Sequence, residues 1–258
     1  MSKAAHEVWA AVSGTTPGEA WLRRDEPKAP ELMARYRDAV AQLERGVPLP
    51  YAVGRVGFRT LDLAIDRRAL IPRPETEGLV ELVLARCSTG RVADIGTGCG
   101  CIALALAVEG QFERIVAVER SAAAAALARE NVKRVAAATP VEIREGNLLA
   151  PLVDKRERYR VIVSNPPYLS AADYADLDPS VADFEPREAL VSGADGLEAT
   201  RAILAGAAAL LEPGGLVALE IDERRADAIR MLGRDLGWHI EIHADLFGRS
   251  RYALAKEA

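Results

Sequence analysis

The sequence predicts an α/β fold: a mainly parallel, doubly wound sheet preceded by a small helical region and a linking hairpin. Three observations carry that expectation. From Thr76 onward, short apolar runs bounded by turn residues alternate with helix-length segments. A glycine-rich loop, Gly96-Thr97-Gly98-Cys99-Gly100, joins the first of those runs directly to a helical segment. An acidic residue, Glu119, closes the second run nineteen residues after Gly100.

The elements follow in chain order. His6–Val12 and Pro30–Gly46 read as helices. In the second, Leu32, Tyr36, Ala39 or Val40, and Leu43 recur at helical spacing and Gly46 ends the pattern. That periodicity accounts for packing and leaves a partner-docking face open. Tyr51–Phe58 and Leu61–Ile65 alternate like paired strands, with Arg59-Thr60 near the turn and Phe58 in the core. Pro72 and Pro74 punctuate the passage into the larger region, and Thr76–Arg86 reads as its first helix. Arg91–Ile95 is the first strand of the sheet and Cys101–Ala107 opens the helix beyond the glycine loop. Ile115–Val118 is the second strand. Ser121–Ala137 is a helix rich in alanine, the strongest helix former. Val141–Glu145 and Arg160–Ser164 supply the third and fourth strands, and Glu198–Leu211 a further helix. Gly215–Ile221 is the fifth strand, Arg224–Leu236 a helix, and Trp238–His243 with Arg251–Ala255 a terminal hairpin.

Two motifs bring chemistry to this frame. The loop spacing is G-x-G-x-G with Asp94 just before it, not the G-x-G-x-x-G of dinucleotide binders. That variant suits S-adenosylmethionine, whose charged methionine end takes the place of a pyrophosphate. Glu119 at the end of the second strand is placed to accept both ribose hydroxyls. Gly146-Asn147-Leu148 ends the third strand: the Asn147 oxygen can take the adenine amino group and Leu148 can pack on the ring. Asn165-Pro166-Pro167-Tyr168 ends the fourth strand and suits methyl transfer to a planar, amide-like nitrogen. Such a nitrogen is a poor nucleophile because its lone pair is delocalised. The Asn165 side-chain oxygen and the Pro166 carbonyl can accept its two N–H bonds, aim the lone pair and stabilise the growing positive charge. Pro166 and Pro167 fix two φ angles, and Tyr168 offers a ring to a flat substrate.

Together these residues resemble the HemK-type release-factor glutamine N5-methyltransferases. Ile71-Pro72-Arg73-Pro74-Glu75-Thr76-Glu77 is close to a signature of that family. Pro50-Tyr51-Ala52-Val53-Gly54, Phe184–Leu190, Gly193–Leu197 and Asp245–Arg249 also match it. The resemblance implies a class I S-adenosylmethionine-dependent methyltransferase with a Rossmann-like, seven-stranded, mostly parallel sheet, its last strand inserted antiparallel. It implies methylation of the glutamine amide in the Gly-Gly-Gln motif of peptide chain release factors. Cofactor contacts are expected from Asp94, Gly96, Thr97, Gly98, Cys99, Gly100, Glu119, Asn147, Leu148 and Asn165. Substrate contacts are expected from Asn165, Pro166, Pro167 and Tyr168, with no metal. Glu75 or Glu77 can hold the cofactor's amino group or favour the helix start near Thr76. Glu185 and Arg187 can order a loop over the substrate or form a surface ion pair. An N6-adenine methyltransferase is the alternative, since the same tetrapeptide serves exocyclic amines.

Bulk properties narrow the setting. The 258 residues are 50% apolar and 28% charged, ordinary values for a globular chain. The net charge of −5 argues against nonspecific nucleic-acid binding. Cys87, Cys99 and Cys101 make no disulfide framework and suit a reducing compartment. Met1–Glu7 lacks a secretory core, and the most apolar run, Val92–Val108, carries Asp94 and three glycines. A cytoplasmic protein is expected. The expected division is a helical substrate-docking domain over 1–48, a hairpin linker over 49–70 and a methyltransferase domain over 71–258.

Overall fold

A computed structural model describes residues 3–153 and 157–258. Met1 and Ser2, which begin the amino-terminal stretch read above, lie outside the described residues. Helices α1 (Lys3–Ser13), α2 (Pro17–Leu22), α3 (Pro30–Leu43) and α4 (Leu49–Val53) come first. Apolar periodicity does not signal the six-residue α2. Its marker is the Thr16–Glu19 capping box, in which each residue bonds the other's backbone N–H, with Pro17 in the first turn. Leu32, Tyr36, Val40 and Leu43 of α3 pack with Val8, Val12 and Ala52, so its apolar stripe faces this small core. Trp9 meets the edge of Tyr36 with ring centroids 5.6 Å apart.

One expectation is corrected here. Tyr51–Val53 belong to a helical turn, not to a strand. Pro50 suits the first turn of a helix, where its missing N–H would go unused, and Gly54 at φ 72° ends the turn. The hairpin is therefore β1 (Arg55–Phe58) with β2 (Leu61–Ala64), paired antiparallel. Arg59, at its tip, has φ 51°.

The larger unit begins with α5 (Pro74–Arg86), β3 (Arg91–Ile95), α6 (Cys101–Glu109), β4 (Arg114–Glu119), α7 (Ala122–Val135) and β5 (Val141–Glu145). After α8 (Ala150–Val153) and β6 (Tyr159–Ser164) come two short helices, α9 (Ala171–Ala175) and α10 (Pro179–Ala182). Then follow α11 (Glu198–Ala207), β7 (Leu211–Glu220), α12 (Ala226–Asp235), β8 (Trp238–Ala244) and β9 (Ser250–Glu257). The last helix starts at Ala226 and not at Arg224, because the Asp222 carboxylate accepts from the Arg224 N–H and closes a 3-10 turn over Glu223–Arg225. Likewise α11 stops at Ala207 and tightens into a 3-10 turn before β7.

The seven strands lie in the order β5-β4-β3-β6-β7-β9-β8. Neighbours from β5 to β7 are parallel, and β9 runs antiparallel between β7 and β8. Alternate residues serve opposite faces. Val92, Ile115, Val161 and Val163 join α5, α6 and α7 in one core. Ala93, Ile95, Val116 and Ile162 join α8, α11 and α12 in the other. Phe58, Leu63 and Ile65 of the hairpin segment are buried in the first of these. At roughly 1.5–3 kcal/mol for each large apolar side chain buried, that contact alone fastens the hairpin firmly to the sheet unit. The first two turns of α6, Cys101–Ala107, are apolar on all sides and buried. No helix among the described residues is long and apolar enough to cross a membrane.

Candidate active site

The strand order reverses between β3 and β6, and a crevice opens beyond the carboxyl ends of strands at such a point. Register fixes what meets there. Asp94 pairs with Val163, and one step on the buried Ser164 hydroxyl donates to the Ile95 carbonyl at 2.6 Å. The next residues along each strand are Gly96 and Asn165. The two motifs thus stand side by side although sixty-nine residues separate them.

A cavity of about 320 Å³ occupies the crevice. Of the residues expected at the site, Gly96, Gly98, Glu119, Asn147, Leu148, Asn165 and Pro167 line it. Gly96 and Gly98 have φ of 71° and 58°, and among the described residues a Cβ on either would meet nothing within 4 Å beyond its chain neighbours. The loop therefore turns bare backbone toward open space, which suits a ligand in close contact. Asp94, Thr97, Cys99 and Gly100 sit behind that wall and hold its shape. The Asp94 Oδ2 accepts from the Thr97 hydroxyl at 2.6 Å and from the Ala103 N–H at 3.2 Å. Its Oδ1 is buried without a hydrogen-bond partner among the described residues, and burial pushes the carboxyl up to about 7. A cationic or N–H donor brought to the loop would relieve that orphan oxygen. The Glu119 carboxylate accepts from the Gly98 N–H at 2.9 Å and from the Ser121 N–H at 2.8 Å. Each oxygen keeps a further lone pair for a ligand hydroxyl.

Of the tetrapeptide, Asn165 and Pro167 line the cavity, and Pro166 and Tyr168 do not. Pro166 is buried, and Tyr168 lies in the field of Glu220, Arg251 and Arg73. Burial first, then Glu220, pushes its phenol up to about 12, so it stays protonated. Asn165 thus stands between the cavity on one side and the Tyr168 region on the other.

Residues to which sequence reading gives no part in the site, Thr76 among them as a helix-start residue only, shape it. Thr76 and Glu220, 2% and 1% exposed, stand behind Asn165. Asn165 Nδ2 donates to the Thr76 hydroxyl at 3.1 Å, which donates in turn to Glu220 at 2.7 Å. Burial pushes the Glu220 carboxyl up to about 7. Asn131 of α7 is fully buried. It accepts from the Ala64 N–H at 2.7 Å and donates to the carbonyls of Ala64 and of Cys99 in the glycine loop.

Two of the acidic residues left undecided by sequence, Glu77 and Glu185, bond to backbone N–H groups. Glu77, in the first turn of α5, accepts from the Arg59 N–H at 2.9 Å and so anchors the hairpin tip to that helix. Glu185 is 5% exposed, accepts from the Ile71 N–H and pairs with Arg73 at 2.5 Å. It fastens the segment after α10 to the entry of α5. Arg187 instead lies over the Tyr174 ring, its guanidinium carbon 5.2 Å from the centroid.

The methyltransferase small domain family matches residues 74–178. A release factor glutamine methyltransferase of Deinococcus radiodurans is 41% identical over 240 residues, 92% of this chain and 84% of that one. The chain belongs to the release factor glutamine methyltransferases. Family members from Moorella thermoacetica and Xylella fastidiosa strain 9a5c agree, at 40% and 43% identity over 90% and 92% of this chain and 83% and 87% of theirs. Solved methyltransferases share the fold at lower identity. A methyltransferase from Pyrococcus furiosus superposes with a TM-score of 0.57 at 21% identity, over 88% of this chain and 98% of that one. The hMettl16 catalytic domain, solved with a 3′UTR hairpin, gives 0.64 at 18%, over 91% and 94%. As a glutamine methyltransferase family member, the chain places its signature Ile71–Glu77 directly behind Asn165, through Thr76.

Proposed function

We propose that this chain methylates the side-chain amide nitrogen of the glutamine in the Gly-Gly-Gln motif of peptide chain release factors, using S-adenosylmethionine. The observation that carries the reading is the position of Asn165, on the wall of the glycine-loop cavity with its amide tied at the nitrogen end to Thr76. The bare backbone at Gly96 and Gly98, the orphan Asp94 oxygen and the Glu119 carboxylate fit the cofactor's methionine end and ribose. Asn147 and Leu148 fit its adenine. The cofactor supplies a methyl group made electrophilic by its sulfonium.

The protein's part is alignment. Asn165 Oδ1 and the Pro166 carbonyl accept the two N–H bonds of the substrate amide and hold its nitrogen toward the cavity. Positioning of this kind is worth roughly 7–11 kcal/mol of barrier in well-oriented systems. No strong base is required, because the nitrogen becomes acidic only as it is alkylated and its proton can pass to water. Pro167 and Tyr168 wall a slot that a glutamine preceded by two glycines can enter, since neither glycine carries a side chain. Residues 1–48 are proposed to grip the body of the release factor. Trp21 and Leu22 of α2 are 53% and 72% exposed there, an apolar pair suited to a protein partner.

The test is incubation of the purified enzyme with labelled cofactor and one of three substrates: intact release factor, a short Gly-Gly-Gln peptide, or duplex DNA. Mass spectrometry of the digested factor should show one added methyl on that glutamine, with the peptide much poorer and the DNA inert. Methyl-adenine in the DNA without methylated glutamine would move the assignment to the adenine reading.

A further inference from the structure

The amide of Asn165 has two ends of nearly equal shape and opposite chemistry. A half-turn about its last side-chain bond swaps a hydrogen-bond acceptor for a donor. If the oxygen is to receive substrate N–H groups, something must choose which end faces them. Nothing in the cavity wall does so, and among the described residues Asn165 Oδ1 accepts no hydrogen bond. The choice is made behind it.

Thr76 stands in the first turn of α5, and Glu220 ends β7. Their partners come from three distant parts of the chain: 89 residues separate Thr76 from Asn165 and 144 separate it from Glu220. An ionised carboxylate only accepts, so the single hydroxyl proton of Thr76 is committed to Glu220 at 2.7 Å. What the hydroxyl turns to Asn165 is then a lone pair, which only an N–H can meet. The nitrogen end of the amide is drawn backward and the oxygen end is presented forward. Burial and Glu75 favour the protonated form of Glu220, Thr76, Arg251 and Arg73 favour the carboxylate, and the neutral phenols of Tyr168 and Tyr252 stand in its field. On the alkaline side of neutrality it is the carboxylate this relay needs.

We propose that Thr76 and Glu220 are positioning residues that lock the Asn165 amide with its oxygen toward the substrate nitrogen. The inference rests on the reading of Asn165 as the acceptor. A pair that only tied α5 to β7 would stabilise the fold and leave turnover to follow folding. The relay makes a narrower demand, because it acts through Asn165 alone.

Thr76→Val keeps the shape and removes the acceptor. With intact release factor as substrate, it should lower kcat by about 10- to 100-fold, less than the roughly 100- to 1000-fold for a preorganised group that touches the reacting atoms, because Thr76 acts through Asn165. Calorimetric titration should find cofactor affinity within about twofold of wild type, showing that the variant is folded. Thr76→Ser keeps the hydroxyl and should recover most of the turnover. Glu220→Met keeps the length, frees the Thr76 proton and should lower kcat in the same way. The deciding measurement is Thr76→Val in an Asn165→Ala background, followed in single turnovers. A residue that acts through Asn165 should cost nothing further there. Normal turnover in Thr76→Val, or an equal loss with and without Asn165, overturns the relay while leaving the role of Asn165 intact. Normal turnover in Asn165→Ala removes both. If Thr76→Val loses cofactor binding, the Ser and Met variants decide: a low kcat in Thr76→Ser or a normal one in Glu220→Met overturns the relay.

Discussion

Gly78 lies inside α5, two residues beyond Thr76, and replacing it with alanine sets two effects against each other. In an open helix the change would stabilise by about 1 kcal/mol, because glycine costs more backbone entropy to order. Here a Cβ would overlap the Tyr252 hydroxyl oxygen and lie 2.9 Å from its Cζ. Tyr252 is only 5% exposed and donates to the Glu75 carbonyl at 2.7 Å, so it has little room to retreat. Overpacking of this kind costs about 1–3 kcal/mol, and the Glu75 bond is worth about 1 more. The clash wins. Gly78→Ala should destabilise by about 1–3 kcal/mol, read as a lower urea midpoint at unchanged slope. Tyr252→Phe removes the oxygen but leaves Cζ, so the alanine should cost about 1 kcal/mol less in that background. A Gly78→Ala protein with a raised midpoint would refute the reasoning. So would an equal loss in both backgrounds.

Glu119→Ala should weaken S-adenosylmethionine binding by about 1–3 kcal/mol, the range for losing a charged acceptor from buried donors; calorimetric titration checks it, and an unchanged affinity would remove Glu119 from the ribose site. Hydrogen bonds from Arg144 first and from Tyr159, with the charges of Arg144 and Arg114, hold the Glu157 carboxyl down to about 2 against burial. A depressed carboxylate lends stability above its unfolded value near 4.5 and loses it as pH falls toward 2. Glu157→Gln should therefore flatten the acid limb of the stability–pH curve between those values; an unchanged limb in urea titrations would refute the assignment.

How far the sequence could be read depends on how local each cause is. Val92–Ile95 and Val161–Ser164 announce themselves because buried parallel strands must be apolar on both faces. The glycine loop and Asn165 are legible because each chemistry needs particular residues in succession. Tyr51–Val53 misled because three residues alternate as well in a helical turn as in a strand; Pro50 and Gly54 were the better signals. The partners of Thr76, Glu220 and Asn131 were out of reach. Thr76 reads as an ordinary first-turn helix residue, Glu220 as a charge at a strand end and Asn131 as a polar residue in an alanine-rich helix. What distinguishes them is who faces them across 67 to 144 residues of chain, and only the assembled sheet sets that.

The bonds of Asn131 bear on where this protein can be cut. The family match begins at residue 74, as though the catalytic unit were autonomous from there. Yet Asn131, well inside it, spends two of its three bonds on Ala64 of the hairpin and the third on the glycine loop. Excision at Pro74 would strand a fully buried amide and bare the pocket that Phe58, Leu63 and Ile65 fill. The seam that sequence similarity marks and the seam that hydrogen bonds mark are therefore different. Any exchange of the helical front end between relatives, by recombination or by design, has to place the joint ahead of the hairpin and not before Pro74, and has to keep Tyr51, whose buried hydroxyl donates to the Ala69 carbonyl.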